Sequence, residues 1–123
     1  QGVGLFDAIL VKENHISAAG SISSAVKYAL RLYPHLLLEV EVENLEQLEE
    51  AHAAGAQRAL LDNFSNNQLR TAVERFRGKI GLEASGGISL DTIRETALTG
   101  VDFISVGDLT KSVKATDFSM RFV

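Results

Sequence analysis

Short apolar runs recur along the chain at Asp7 to Val11, Leu36 to Val42, Arg58 to Leu61, Lys79 to Glu83 and Asp102 to Val106. Runs of that length, bounded by polar or glycine-bearing stretches, suit strands buried in a parallel sheet. Between them the apolar spacing becomes helical. Ile22, Val26, Ala29, Leu30 and Tyr33 mark a first helix, and Leu45, Leu48 and Ala51 a second. In the third, Leu69, Ala72, Val73 and Phe76 fall at i, i+3, i+4 and i+7, leaving Arg70, Glu74, Arg75 and Arg77 to solvent. Leu90, Ile93 and Ala97 mark a fourth. The pattern predicts an α/β fold of five parallel strands alternating with four helices, each βα unit taking roughly 20 to 30 residues.

The boundaries agree with this alternation. Asn44 with Gln47 three residues on reads as an N-cap with its capping partner, and Ser89 is placed to cap a helix starting near Leu90. Gly55, Gly78 and Gly100 follow the apolar periods where a left-handed residue closes a helix, and Pro34 stops the first helix for want of an amide donor. Parallel strands joined by single helices cross over right-handedly, as an open doubly wound sheet or as part of a β/α barrel. Glu39 and Glu41, two apart and so on one side of a strand, favour the barrel, whose solvated mouth makes such a pair tolerable.

At 123 residues and 46% hydrophobic content, the chain has enough apolar surface for one packed domain. Twelve basic against sixteen acidic residues give a net charge of −4, with no basic stripe to follow a nucleic-acid backbone or an anionic membrane. Small ligands are the expected partners. The absence of cysteine removes disulfides and thiolate metal sites and fits a reducing, cytoplasmic setting. No apolar run reaches membrane-spanning length. Gln1-Gly2-Val3-Gly4 has no targeting character, and its missing initiator Met suggests a processed or cut start.

Chemistry-bearing residues cluster at the predicted strand ends: Lys12, Glu41, Asp62, Ser85-Gly86-Gly87, and Gly107 with Lys111. In parallel βα folds these ends converge on one face. Ser85-Gly86-Gly87-Ile88, between a strand and a helix, is either a phosphate cradle or merely a tight turn. The second glycine-bearing end, Gly107, tips the balance to phosphate, because barrels often hold one between their last two strand loops. Lys111 lies within reach as a point charge. Glu41 and Asp62 suit Mg²⁺, sugar hydroxyls or acid–base work, or else a salt bridge with Lys12. Asn63 either orients Asp62 or makes a turn. His15, with His35 and His52 far away, makes no metal site and reads as a hydrogen-bonding loop residue.

The strings Gly4-Leu5-Phe6-Asp7-Ala8-Ile9-Leu10-Val11-Lys12-Glu13-Asn14-His15, Glu39-Val40-Glu41-Val42-Glu43, Leu61-Asp62-Asn63, Glu83-Ala84-Ser85-Gly86-Gly87-Ile88 and Thr99-Gly100-Val101-Asp102-Phe103-Ile104-Ser105-Val106-Gly107 resemble, in order, the quinolinate phosphoribosyltransferase family. The terminal Asp117 to Phe122 resembles that family's natural end. The resemblance implies a type II phosphoribosyltransferase barrel. Its reaction converts quinolinate and phosphoribosyl pyrophosphate, with Mg²⁺, to nicotinate mononucleotide, pyrophosphate and carbon dioxide in NAD biosynthesis.

Carried over, Lys12 contacts the anionic substrates, and Glu41 and Asp62 hold ribose hydroxyls and Mg²⁺. Ser85, Gly86 and Gly107 bind the 5′-phosphate, with Lys111 at a position where the family often has histidine. Gln1-Gly2 stands where the family usually has His-Arg, the arginine pairing with a quinolinate carboxylate. Family chains are more than twice as long, with an N-terminal α/β domain, earlier barrel strands and a dimer partner. Residues 1–123 are therefore expected to be the C-terminal part of the barrel, oligomeric through its open edges and without turnover alone. A noncatalytic phosphosugar-binding paralogue, or another phosphate-binding β/α-barrel enzyme, are the alternatives.

Overall fold

The computed structural model describes residues 8–106 and 113–116. Six strands form one sheet: β1 (Ala8–Val11), β2 (Leu37–Val42), β3 (Arg58–Asp62), β4 (Gly81–Ser85), β5 (Phe103–Ile104) and β6 (Val113–Lys114). Their order in space follows the chain, with β1 to β5 parallel and β6 antiparallel to β5. A doubly wound sheet needs a reversal of strand order, whereas right-handed crossovers taken always in one direction put every helix on one face. The sequential order is therefore an arc of a β/α barrel. It resolves the choice that the apolar pattern left open.

Among the described residues the strands are accompanied by α1 (Glu13–Ala19), α2 (Ile22–Leu32), α3 (Leu45–Ala54), α4 (Asn66–Phe76) and α5 (Ile93–Ala97). Their apolar stripes and one face of the sheet make the core. Leu38, Val40, Val42, Ala59, Leu61, Leu82 and Ala84 are buried there, opposite Val26, Leu48, Leu69, Ala72 and Ile93. The alternate positions, Glu39, Glu41, Arg58, Asp62, Glu83 and Ser85, share the other face. One face is thus apolar and helix-covered, and the other carries the chemistry.

Local signals account for most boundaries. Asn44 accepts from the Gln47 amide at 2.8 Å, and Gln47 accepts from the Glu43 amide at 2.8 Å. Gly55 closes α3 at φ +105°, and α2 ends two residues before Pro34.

The structure corrects the expected count of five strands and four helices. α1 is an additional helix, seven residues long with no buried side chain, so no apolar period announced it. β6 is a two-residue antiparallel pairing, too short to leave a pattern. β4 begins at Gly81 rather than Lys79, because the amides of Lys79 and Ile80 donate back to the Phe76 carbonyl in the turn that ends α4. The helix expected near Leu90 begins at Ile93. Ser89 and Thr92 form a turn of their own, with the Ser89 amide donating to Thr92 Oγ1 at 3.2 Å, and Leu90 is 76% exposed.

Candidate functional site

Parallel register fixes which residues meet at the carboxyl ends of the strands. Val11 pairs with Val40 and Val42 with Leu61, while Asp62 pairs with Ser85. Lys12, Glu41, Asp62, Ser85 and Gly86 therefore stand side by side at one edge, supplied by four consecutive strands. Lys12 follows β1 directly and precedes α1, and its amide donates to His15 Nδ1 at 3.1 Å. His15 thus makes the hydrogen bond expected of it, tying down the backbone of Lys12, but from the first turn of α1 rather than from a loop. Gly107 and Lys111 lie outside the described residues.

Charge gathers at this edge. The Glu41 carboxyl is raised above its usual range, first by burial and then by the negative charge of Asp62, while Lys12 pulls it down. Both groups therefore lie within electrostatic reach of Glu41. Among the described residues Lys12 makes no ion pair within 4 Å with Glu41 or Asp62, so the salt-bridge alternative is not formed.

The turn after β4 is built by close approach. Gly86 has φ +90°, and a Cβ there would lie 2.8 Å from the Asn63 amide nitrogen and 3.0 Å from Asp62 Oδ1. Asn63 itself is left-handed at φ 60°, and its amide donates to the Ser85 carbonyl at 2.8 Å. Asn63 is thus a turn former, and Gly86 lets the β3 and β4 turns touch. Gly87, at φ +68°, has open space where a Cβ would point. No helix N-terminus directly follows the glycines, because α5 starts six residues beyond Gly87. Any anion held here is held by turn amides and neighbouring charges instead.

Two carboxylates, Glu41 and Asp62, lie at adjacent strand ends on this edge. Among the described residues no cluster of three or more acidic, histidine or cysteine side chains is placed to hold a metal ion. Glu41 and Asp62 fit Mg²⁺, which keeps several waters and takes one or two carboxylates plus substrate phosphate. Burial first, and then the charge of Asp62, raise Glu41, and a cation between the two would relieve the second of these.

Deeper on the same face lie Arg58 and Glu83, which sequence reasoning missed, and Glu39, which it expected at the mouth. Arg58 sits between Glu39 and Glu83, with Nε 3.5 Å from Glu39 Oε2 and Nη2 donating to Glu83 Oε1 at 2.9 Å. Burial, with hydrogen bonding and repulsion from Glu83, pushes Glu39 up to about 8. Burial acts upward on Glu83 too, but hydrogen bonds from Glu39, Ser105 and Arg58 outweigh it and hold Glu83 below the usual value. Glu39 therefore faces the interior rather than the mouth.

Comparison with known proteins agrees with the geometry. The model of the family "Quinolinate phosphoribosyl transferase, C-terminal domain" matches residues 1–121. The chain is similar to the probable carboxylating nicotinate-nucleotide pyrophosphorylase of Bacillus subtilis, 46% identical over 95% of this chain and 41% of that protein. The chloroplastic carboxylating enzyme of Arabidopsis thaliana is 39% identical over 97% of this chain and 40% of its own. The solved nicotinate-nucleotide pyrophosphorylase of Francisella tularensis superposes with a TM-score of 0.80 at 49% identity, covering 91% of this chain and 41% of that one. A thiamine phosphate pyrophosphorylase from Pyrococcus furiosus follows at 0.69 and 28%, covering 81% of this chain and 48% of that one. The chain spans about two fifths of the length of its nicotinate-nucleotide relatives. With nearly every residue matched and the barrel arc shared, the chain belongs to the quinolinate phosphoribosyl transferase family, in its C-terminal domain.

Proposed function

We propose that this chain supplies the phosphosugar end of a quinolinate phosphoribosyltransferase site, taking quinolinate and phosphoribosyl pyrophosphate to nicotinate mononucleotide, pyrophosphate and carbon dioxide. The observation that carries this reading is the convergence of Lys12, Glu41, Asp62, Ser85 and Gly86 at one edge of four successive parallel strands. The names of its relatives supply the reaction.

Each residue has a chemical part. The amides of the Ser85-Gly86-Gly87 turn, with Gly107 and Lys111, hold the 5′-phosphate. Glu41 and Asp62 accept hydrogen bonds from the ribose hydroxyls. As the bond to pyrophosphate breaks, positive charge develops at the anomeric carbon, and preorganised carboxylates nearby stabilise it. Lys12 balances the anionic substrates. Bound through Glu41 and Asp62, Mg²⁺ would neutralise pyrophosphate charge.

The working unit is larger than this chain. Among the described residues β1 pairs only with β2, so its outer edge is open. Beside it lies an apolar groove of about 830 Å³ bordered by Ile9, Leu10, Tyr28 and Leu32, and Tyr28 is 55% exposed. These features support a homo-oligomer, with a dimer as its smallest form. Among the described residues no helix is long and apolar enough to cross a membrane. The cysteine-free composition supports a cytoplasmic setting.

The test is made in a full-length relative with the counterparts of Glu41→Ala and Asp62→Ala, following carbon dioxide release from labelled quinolinate. Each substitution is expected to lower kcat about a hundredfold or more. Turnover within twofold of the parent in both variants contradicts the reading.

A further inference from the structure

The buried charges under the site carry an inference beyond substrate contact. Arg58 on β3 reaches Glu39 on β2 and Glu83 on β4. The Ser105 hydroxyl, just past β5, donates to Glu83 Oε2, and the guanidinium carbon lies 3.8 Å from the centroid of the Phe103 ring. One cation thus ties four neighbouring strands together. The side chains of Arg58 and Glu83 are 11% and 6% exposed. They are the floor of the site rather than its lining.

Stability does not explain this choice of residues. Replacing a buried ion triad with apolar side chains of similar volume is often neutral or stabilising, because desolvation cancels much of the Coulomb gain. A planar guanidinium gives direction instead: Nη2 donates to Glu83 at a fixed angle while Nε of the same plane lies 3.5 Å from Glu39, so both carboxylates are placed relative to β3. Side chains on one strand face repeat every second residue, about 6.6 Å along the strand. Glu41 is the next inward residue after Glu39, Ser85 the next after Glu83, and Asp62 the second after Arg58. The tied residues therefore lie one inward position below Glu41 and Ser85 and two below Asp62, with Leu60 between.

We propose that Arg58 is a positioning residue: clamped between Glu39 and Glu83, it sets the register and lateral spacing of β2, β3 and β4 so that Glu41, Asp62 and Ser85 engage one phosphosugar together. This rests on the phosphosugar reading of the strand ends and deepens it. Arg58 touches no ligand. A ligand that spans Glu41, Asp62 and the Ser85 turn depends on that spacing, whereas an ion held by the turn alone does not.

The test uses the 123-residue chain with ribose 5-phosphate and inorganic phosphate as separate probes in calorimetry, beside thermal unfolding. Arg58→Lys keeps the charge but loses the planar fork. The triple variant Glu39→Gln, Arg58→Met and Glu83→Gln removes the Arg58 and Glu83 charges and the Glu39 carboxyl at similar volume. Both are expected to fold, to bind ribose 5-phosphate on the order of tenfold more weakly, and to bind inorganic phosphate as the parent does. Parental affinity for ribose 5-phosphate in a folded variant overturns the proposal, as does an equal loss for both probes. If the triple variant fails to fold, Arg58→Lys decides; if both fail, Arg58 serves stability and the positioning role is refuted. A parent chain that binds phosphate but not ribose 5-phosphate sinks the phosphosugar reading and the positioning role with it, whereas failure of the variants alone to lose affinity sinks only the latter.

Discussion

Gly86 shows how a single residue joins fold to site. With φ +90° and the Asn63 amide nitrogen 2.8 Å from where a Cβ would sit, Gly86→Ala meets backbone that cannot swing aside. Gly87→Ala, at φ +68° in open space, incurs only the left-handed cost of about 1 to 2 kcal/mol. Gly86→Ala should cost at least about 1 kcal/mol more, measured by urea unfolding of the two variants side by side. Equal destabilisation contradicts the contact. Glu39 gives a pH signature. Its pKa rises on folding from 4.5 to about 8, so the native state keeps a proton that the unfolded chain releases. Its stabilisation is complete below pH 4.5 and declines as pH rises through about 8. Glu83, lowered on folding, acts in the opposite sense, its contribution being lost on the acid side below 4.5. Glu39→Gln should therefore flatten the fall in thermal midpoint between pH 5 and 9; an unchanged slope contradicts the assignment. The strand-end residues were legible because exposed chemistry at the close of an apolar run is conspicuous. Arg58 was not, because an arginine opening a strand reads as a flank until its neighbours in space are known.

At the scale of elements, legibility followed the length and period of the apolar pattern. α4 was plain, since Leu69, Ala72, Val73 and Phe76 all proved buried. Its start carried a signal that sequence reading passed over: Ser65 Oγ accepts from the Gln68 amide at 3.2 Å, and Gln68 Oε1 accepts from the Ser65 amide at 2.8 Å. Ser65→Ala should cost about 1 kcal/mol in chemical unfolding, and a change below a few tenths would show that the box carries no weight. α5 was half legible. Ile93 and Ala97 are buried as their spacing demands, but the Ser89–Thr92 turn takes up the residues assigned to its first turn. α1 and β6 were invisible because neither presents an apolar face long enough to have a period.

For the whole molecule, sequential strand order made the barrel arc, and the arc placed the carboxyl ends of the parallel strands β1 to β5 at one edge. The open edge of β1 and the apolar groove beside it lead us to expect self-association. Light scattering at micromolar concentration should show dimers or larger species, and a monodisperse monomer contradicts this. Periodicity alone does not distinguish a barrel from an open sheet; the Glu39 and Glu41 pair favoured the barrel, although Glu39 lies beside Arg58 inside, and the resemblance in motifs pointed the same way. The central claim is that one edge binds a phosphosugar, and the direct measurement is amide chemical-shift mapping while ribose 5-phosphate is added to the labelled chain. The expected perturbations centre on Lys12, Glu41, Asp62, Asn63 and Ser85 to Gly87. Perturbations centred instead around Arg77, Val101 and Lys114, which border the groove of about 460 Å³ beside β5 and β6, or none at millimolar ligand, would contradict it.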